Sequence, residues 1–164
     1  MLVIINFFQR WVIYTPSTFE SAFGSAINVV VLCFNKLVCH TNQSTISPLI
    51  ITAFASILNL FASIIHSLSN STALEYCFQQ AELFTKILCE ICFLPCIAEQ
   101  CPPSIQISAM TLIGHIANMG PRISQSLQKE AIEEFMEECR EAPNFDVRKM
   151  YFYADQSLNS LLDS

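Results

Sequence analysis

The 164-residue sequence predicts an all-α fold of antiparallel helical hairpins, stacked side by side as a single domain over 1–164. Three observations carry this reading. Glycine occurs only three times, and the seven prolines fall mostly between periodic segments, which is the punctuation of helices. Apolar residues recur at intervals of three and four over long stretches, whereas the period-2 alternation of half-buried strands is missing over any useful length. A thirteen-residue pattern also occurs twice, forty-two positions apart, with matching apolar residues at its first, fifth, eighth and twelfth places. These are Ile105, Ala109, Leu112 and Ile116 in the first copy, and Val147, Tyr151, Ala154 and Leu158 in the second. One helical face is therefore written twice, at the period of arrays whose single hairpins cannot bury their apolar side without a stacked neighbour.

The opening run 1–8 is apolar and is read as an N-terminal helix. A short strand is its one β alternative, because 1–5 and 29–31 are β-prone runs lying inside or beside helical patterns. Pro16, with Ser17 and Glu20 at capping-box spacing, starts the next helix, which runs to about His40. Its apolar face is Phe19, Phe23, Ala26, Ile27, Val30, Phe34, Leu37 and Val38. After the polar stretch 41–45, the segment 46–68 contains no Asp, Glu, Lys or Arg. Thr52, Ser56, Asn59, Ser63, Ser67 and Asn70 advance along it by fours and threes as an uncharged polar stripe.

Thr72 and Glu75 offer a second capping box for a helix reaching toward Leu94, and Pro95 and Pro102-Pro103 close that region. The first copy of the repeated pattern follows and stops at Met119-Gly120-Pro121. Ile123, Leu127, Ala131, Phe135 and Cys139 mark the buried edge of another helix, with Glu130, Glu133, Glu134, Glu137, Glu138 and Glu141 outside. Asn144 caps a last helix running to about Leu162. The expected count is six main helices and an N-terminal one.

The first copy, Ile105 to Ala117, resembles the second helix of a HEAT or armadillo-type repeat, which reads roughly Val-Arg-x-x-Ala-x-x-Ala-Leu-Gly-x-Leu-Ala. The second keeps the Asp146-Val147-Arg148 opening of that motif and departs from it at Tyr151, Asp155 and Asn159. The resemblance covers 102–162, and the rest of the chain is assigned by periodicity alone. It implies a short α-solenoid that acts as a non-enzymatic protein-interaction scaffold. Asp146 and Arg148 would be the structural pair linking successive repeats. Lys149, Tyr153 and Gln156, which point away from the 147/151/154/158 face, would be the protein-binding residues.

Composition sets bounds on function. Hydrophobic residues make up 52% of the chain and charged ones 13%, about half the usual share, so much of the surface is expected to be covered by protein or by lipid. A net charge of −6 with eight scattered Lys and Arg excludes a nucleic-acid backbone as ligand. Eight cysteines with no secretory signal imply reduced thiols in the cytoplasm or nucleus. Arg10 follows the apolar opening instead of preceding it, the wrong order for a signal peptide. The sequons at Asn42 and Asn70 are accordingly read as incidental. So hydrophobic a start reads as the middle of a helical array, which predicts that the chain is a fragment of a longer solenoid.

Two other readings compete with the scaffold. The uncharged 46–65 stretch is long enough to span a bilayer and would make a multi-span membrane protein, although Pro48, the polar stripe and flanks poor in Lys and Arg count against it. Cys89, Cys92, Cys96 and Cys101 could hold zinc or an iron–sulfur cluster in a Cys-rich metal-binding domain. On a helix, however, the first three fall at i, i+3 and i+7, which is also how a core stripe is written. No cofactor is expected. Histidine occurs at 40, 66 and 115 without paired carboxylates, a phosphate loop or a nucleophile elbow, so no enzyme is predicted. The glutamate face is read as solvated helix surface in preference to a docking site for a basic partner.

Overall fold

Pro16, Pro48, Pro95 and Pro103 each open a helix, at the one helical position where a missing N–H costs nothing and a fixed φ helps. The computed structural model describes residues 1–41, 46–68, 74–98, 100–120, 127 and 130–160, and these are all-helical, with no strand among them. The helices are α1 (Leu2–Tyr14), α2 (Pro16–Cys39), α3 (Pro48–Leu68), α4 (Leu74–Cys92), the short α5 (Pro95–Ala98), α6 (Pro103–Ala117), α7 (Glu130–Arg140) and α8 (Phe145–Asn159). The β-prone runs at 1–5 and 29–31 lie within α1 and α2, where packing overrides local propensity.

Two ends follow the sequence and two do not. Asn144 caps α8, its side-chain oxygen accepting from the Asp146 and Val147 N–H groups at 2.9 and 3.3 Å. Gly120, at φ 112°, takes the left-handed turn after α6. The Ser17–Glu20 capping box does not form, because α2 begins two residues earlier: Thr15 is its N-cap and makes no side-chain cap bond. The Thr15 hydroxyl instead donates to the Trp11 carbonyl at 3.2 Å. The helix expected to reach Leu94 ends at Cys92, and two residues separate it from Pro95, which starts α5. The proposed Thr72–Glu75 box, Asn70 and Ile123 lie outside the described residues.

Packing arranges the helices in a row. α1 lies on α3, α3 on α6 and α6 on α8, and these are the most extensive contacts between elements. The intervening α2 packs on α1 and α3, α4 packs on α3 and more lightly on α6 and α7, and α7 packs on α8. The burial of each copy of the repeated face follows from its place in this row. In α6, covered by α3 and α8, Ile105, Ala109, Leu112 and Ile116 are all fully buried. In α8, for which α6 is the one neighbour in the row among the described residues, Val147 and Ala154 are fully buried while Tyr151 and Leu158 are half-covered.

Aromatic rings make the joints. Phe61 of α3 stacks on Phe84 of α4 with ring centres 4.2 Å apart; each is fully buried. Burying such a side chain contributes about 1.5–3 kcal/mol. Phe34 of α2 meets Phe54 of α3 at 6.1 Å. At the α1–α2 corner, the half-buried Trp11 stands edge-on to Phe19 at 5.6 Å, and its Nε1–H donates to the Thr18 hydroxyl at 2.8 Å, so the ring packs without stranding its donor. The buried hydroxyls of Thr85, Ser108 and Ser157 each donate to the carbonyl four residues back, which satisfies them within their own helices.

Candidate functional site

The C-terminal part of the polar stripe of α3 borders a cleft, whereas Thr52, near its start, is exposed. Asn59, Ser63 and Ser67, with His66, line one wall of a cleft of about 600 Å³. Gln9 and Ile13 of α1, Pro16 at the start of α2, and Thr111 and His115 of α6 complete its lining. The cleft exists because the row places α1 and α6 on either side of α3, so that a stripe of small polar residues becomes a floor between two flanks. Among the described residues, none of those lining it is Asp, Glu, Lys or Arg. It therefore offers hydroxyls, carboxamides and imidazoles to a ligand, and no fixed charge. The Ser63 and Thr111 hydroxyls donate to the carbonyls of Asn59 and Ile107 at 2.8 Å, which leaves their oxygens available as acceptors.

At one end of the cleft, two histidines that are 49 positions apart in the sequence come together. The His66 and His115 ring centres are 5.3 Å apart, with the planes inclined at 50°. His115 also meets Tyr153 of α8: its Nδ1 is 3.5 Å from the tyrosine oxygen, to which Asn118 donates at 3.4 Å. The close approach of α8 depends on Gly114, where a β-carbon would overlap the Tyr153 ring. Burial, and then the neighbouring His66, push the pKa of His115 down from its usual value, favouring the neutral imidazole.

The chain matches no family model, no curated protein and no solved structure.

The proposed protein-binding residues divide. Lys149 and Gln156 are exposed on α8, whereas Tyr153 is half-buried against Gly114 and His115 in the α6–α8 seam. Phe152, beside them and 64% exposed, and Phe145, 70% exposed one turn before Lys149, are outward aromatics of that face, and the sequence reading passed over both. Arg148 donates from one guanidinium nitrogen to the carbonyls of Ala142 and Pro143, at 2.6 and 2.9 Å. It thus ties down the turn of its own hairpin. Asp146 is exposed in the first turn of α8, where its charge favours the helix N-terminus, and it makes no ion pair among the described residues.

The cysteines form an inward cluster. Cys92 and Cys139 are buried, and Cys89 and Cys101 pack against the same core. The side chain of Cys96 lies outside the described residues. Burial, and then Cys101, Cys139 and Cys89, push the Cys92 thiol well up; burial, and then Glu138, push Cys101 up to about 12. No group of three or more His, Cys, Asp or Glu positioned to hold a metal ion occurs among the described residues. These surroundings favour neutral thiols packed as small hydrophobes. The glutamates at 130, 133, 134, 137, 138 and 141 are all exposed.

Two helices, Pro16–Cys39 and Pro48–Ser67, are long and apolar enough to cross a membrane, with mean hydropathies of 1.7 and 2.1. The second carries the floor of the cleft.

Proposed function

We propose that this chain is a HEAT/armadillo-like α-solenoid domain serving as an intracellular, non-enzymatic scaffold, with a protein partner held along the α1–α3–α6–α8 row. The observation that carries the reading is the cleft: an uncharged, hydrogen-bonding trough of about 600 Å³ running across successive helices of one row. Stacked hairpins place alternate helices on one side and make an extended surface from them, and the contacts of α1, α3, α6 and α8 fit that plan. Lys149 and Gln156, with Phe152 between them, are exposed on α8, the next helix of that row, and would extend the surface as a solvent-facing strip. Asp146 and Arg148 shape the start of that strip. A floor without charge suits an uncharged polar segment of the partner, and rim residues such as Lys149 set its orientation.

A photo-crosslinking residue placed in turn at Gln9, Lys149 and Lys86 tests this in cells. Lys86 lies on α4, outside the row, and is 70% exposed. The expected result is one protein adduct shared by positions 9 and 149 and absent at 86. Equal labelling at all three positions, or none, would overturn the reading.

A membrane reading draws on a different observation. Val3, Phe7, Ile13 and Leu32 leave apolar side chains exposed on α1 and α2, and α2 has the length to span. Retention of the chain in the membrane pellet through alkaline washing, with lipid adducts at Phe7, would favour it over the scaffold.

A further inference from the structure

We propose that His66 and His115 form a two-imidazole binding site for a divalent transition-metal cation such as Zn²⁺, Co²⁺ or Ni²⁺, joining α3 to α6 at the end of the cleft. The geometry of the pair is the argument. Two imidazoles bound at about 2.0–2.1 Å to one tetrahedral ion have ring centres about 5 Å apart. The two rings here stand 5.3 Å apart and inclined at 50°, neither stacked face to face nor separated by an intervening side chain. They come from two helices in extensive contact, so the fold brings their positions together.

The surroundings fit a nitrogen-ligated cation. Tyr153 meets His115 at Nδ1, which leaves Nε2 as the ligating nitrogen. A partner on the other ring nitrogen is what fixes the orientation of metal-bound histidines. Tyr153 is itself held by Asn118 and seated on Gly114. Among the described residues, no Lys or Arg lines the cleft to repel a cation. Two protein ligands leave the remaining positions open to the cleft, for water or for a donor group of whatever occupies it. The site does not depend on the scaffold reading, since it needs only the α3–α6 contact.

The test uses the full chain, stripped with chelator under reducing conditions and titrated with Co²⁺ and Zn²⁺ by absorbance and calorimetry. One ion per chain is expected, with visible cobalt bands and no thiolate-to-metal charge-transfer band. His66→Ala and His115→Ala should each weaken binding at least tenfold, and His40→Ala, remote from the cleft, should leave it unchanged. His66 is exposed, so its replacement spares the core, and helicity measured in parallel checks this. Tyr153→Phe should weaken binding by roughly tenfold through loss of the Nδ1 partner. Absence of binding, affinity unchanged in the His66→Ala chain, or a thiolate charge-transfer band assigning the ion to the cysteines would each overturn the proposal.

Discussion

Gly114 of α6 is pressed against the ring of Tyr153 of α8 so closely that a β-carbon at 114 would overlap ring atoms. Alanine is worth about 1 kcal/mol over glycine in a helix interior, so the sign of Gly114→Ala depends on whether the ring can yield. Asn118 and His115 hold the phenol oxygen, and moving the ring forfeits both contacts and opens the seam. Overpacking of this kind costs about 1–3 kcal/mol. We therefore expect Gly114→Ala to lower stability in urea unfolding by about 1 kcal/mol net. The same substitution in a Tyr153→Ala background should be neutral or stabilising, and additive effects in that double-mutant cycle would show that the two residues do not meet.

The Phe61–Phe84 stack is the main aromatic joint between α3 and α4. Both rings are fully buried, so Phe84→Ala leaves a cavity that rigid helices cannot close, at a cost of about 3–5 kcal/mol. Phe152→Ala, at a 64% exposed position, should change stability by no more than about 0.5 kcal/mol. Urea midpoints of the two variants make the comparison. A small effect at Phe84 would mean that α4 is not anchored through this ring.

Helix positions and the buried repeated face were legible in the sequence because they depend on local periodicity: Ile105, Ala109, Leu112 and Ile116 could be marked as core without knowing what covers them. The cleft was legible only in part. A row of Ser, Thr and Asn on an apolar helix reads the same whether it lines a seam, faces solvent or floors a groove, and only the packing of α1 and α6 beside α3 decides. His66 and His115 meet through tertiary contact alone, so spacing could not pair them. Tyr153 was placed with Lys149 and Gln156 because the three share a helical stripe. Its ring nevertheless turns into the seam that Gly114 leaves open, and the exposed aromatics of that face are Phe145 and Phe152.

Acid should act on the cleft through His115. Its folded-state pKa lies below the unfolded value of about 6.5, because burial and the adjacent His66 disfavour the charged ring. The contribution to stability is therefore complete above about pH 6.5 and is lost as the pH falls through the lower folded value. In chelator-treated protein, the melting temperature of the native chain should drop faster than that of His115→Gln as the pH is lowered below about 6.5. Parallel curves for the two proteins would remove His115 as the group responsible.

Thiol reactivity distinguishes packed cysteines from reactive or metal-bound ones. Cys139 is fully buried and Cys92 nearly so, and burial, with Cys101 and Glu138 behind it, pushes the Cys139 thiol up to about 12 from an ordinary value of 9.0. At neutral pH this leaves roughly a thousandfold less thiolate than an ordinary cysteine carries, and thiolate is the species that alkylates. Cys39, at the end of α2, is exposed. Brief iodoacetamide treatment followed by peptide mass analysis should therefore find Cys39 modified well before Cys92 and Cys139, which stay protected until denaturant unfolds the chain. Rapid native-state labelling at Cys139 would mean that α7 opens away from the core on the timescale of the reaction, and the helix carrying the glutamate face would then be the least secure element of the fold.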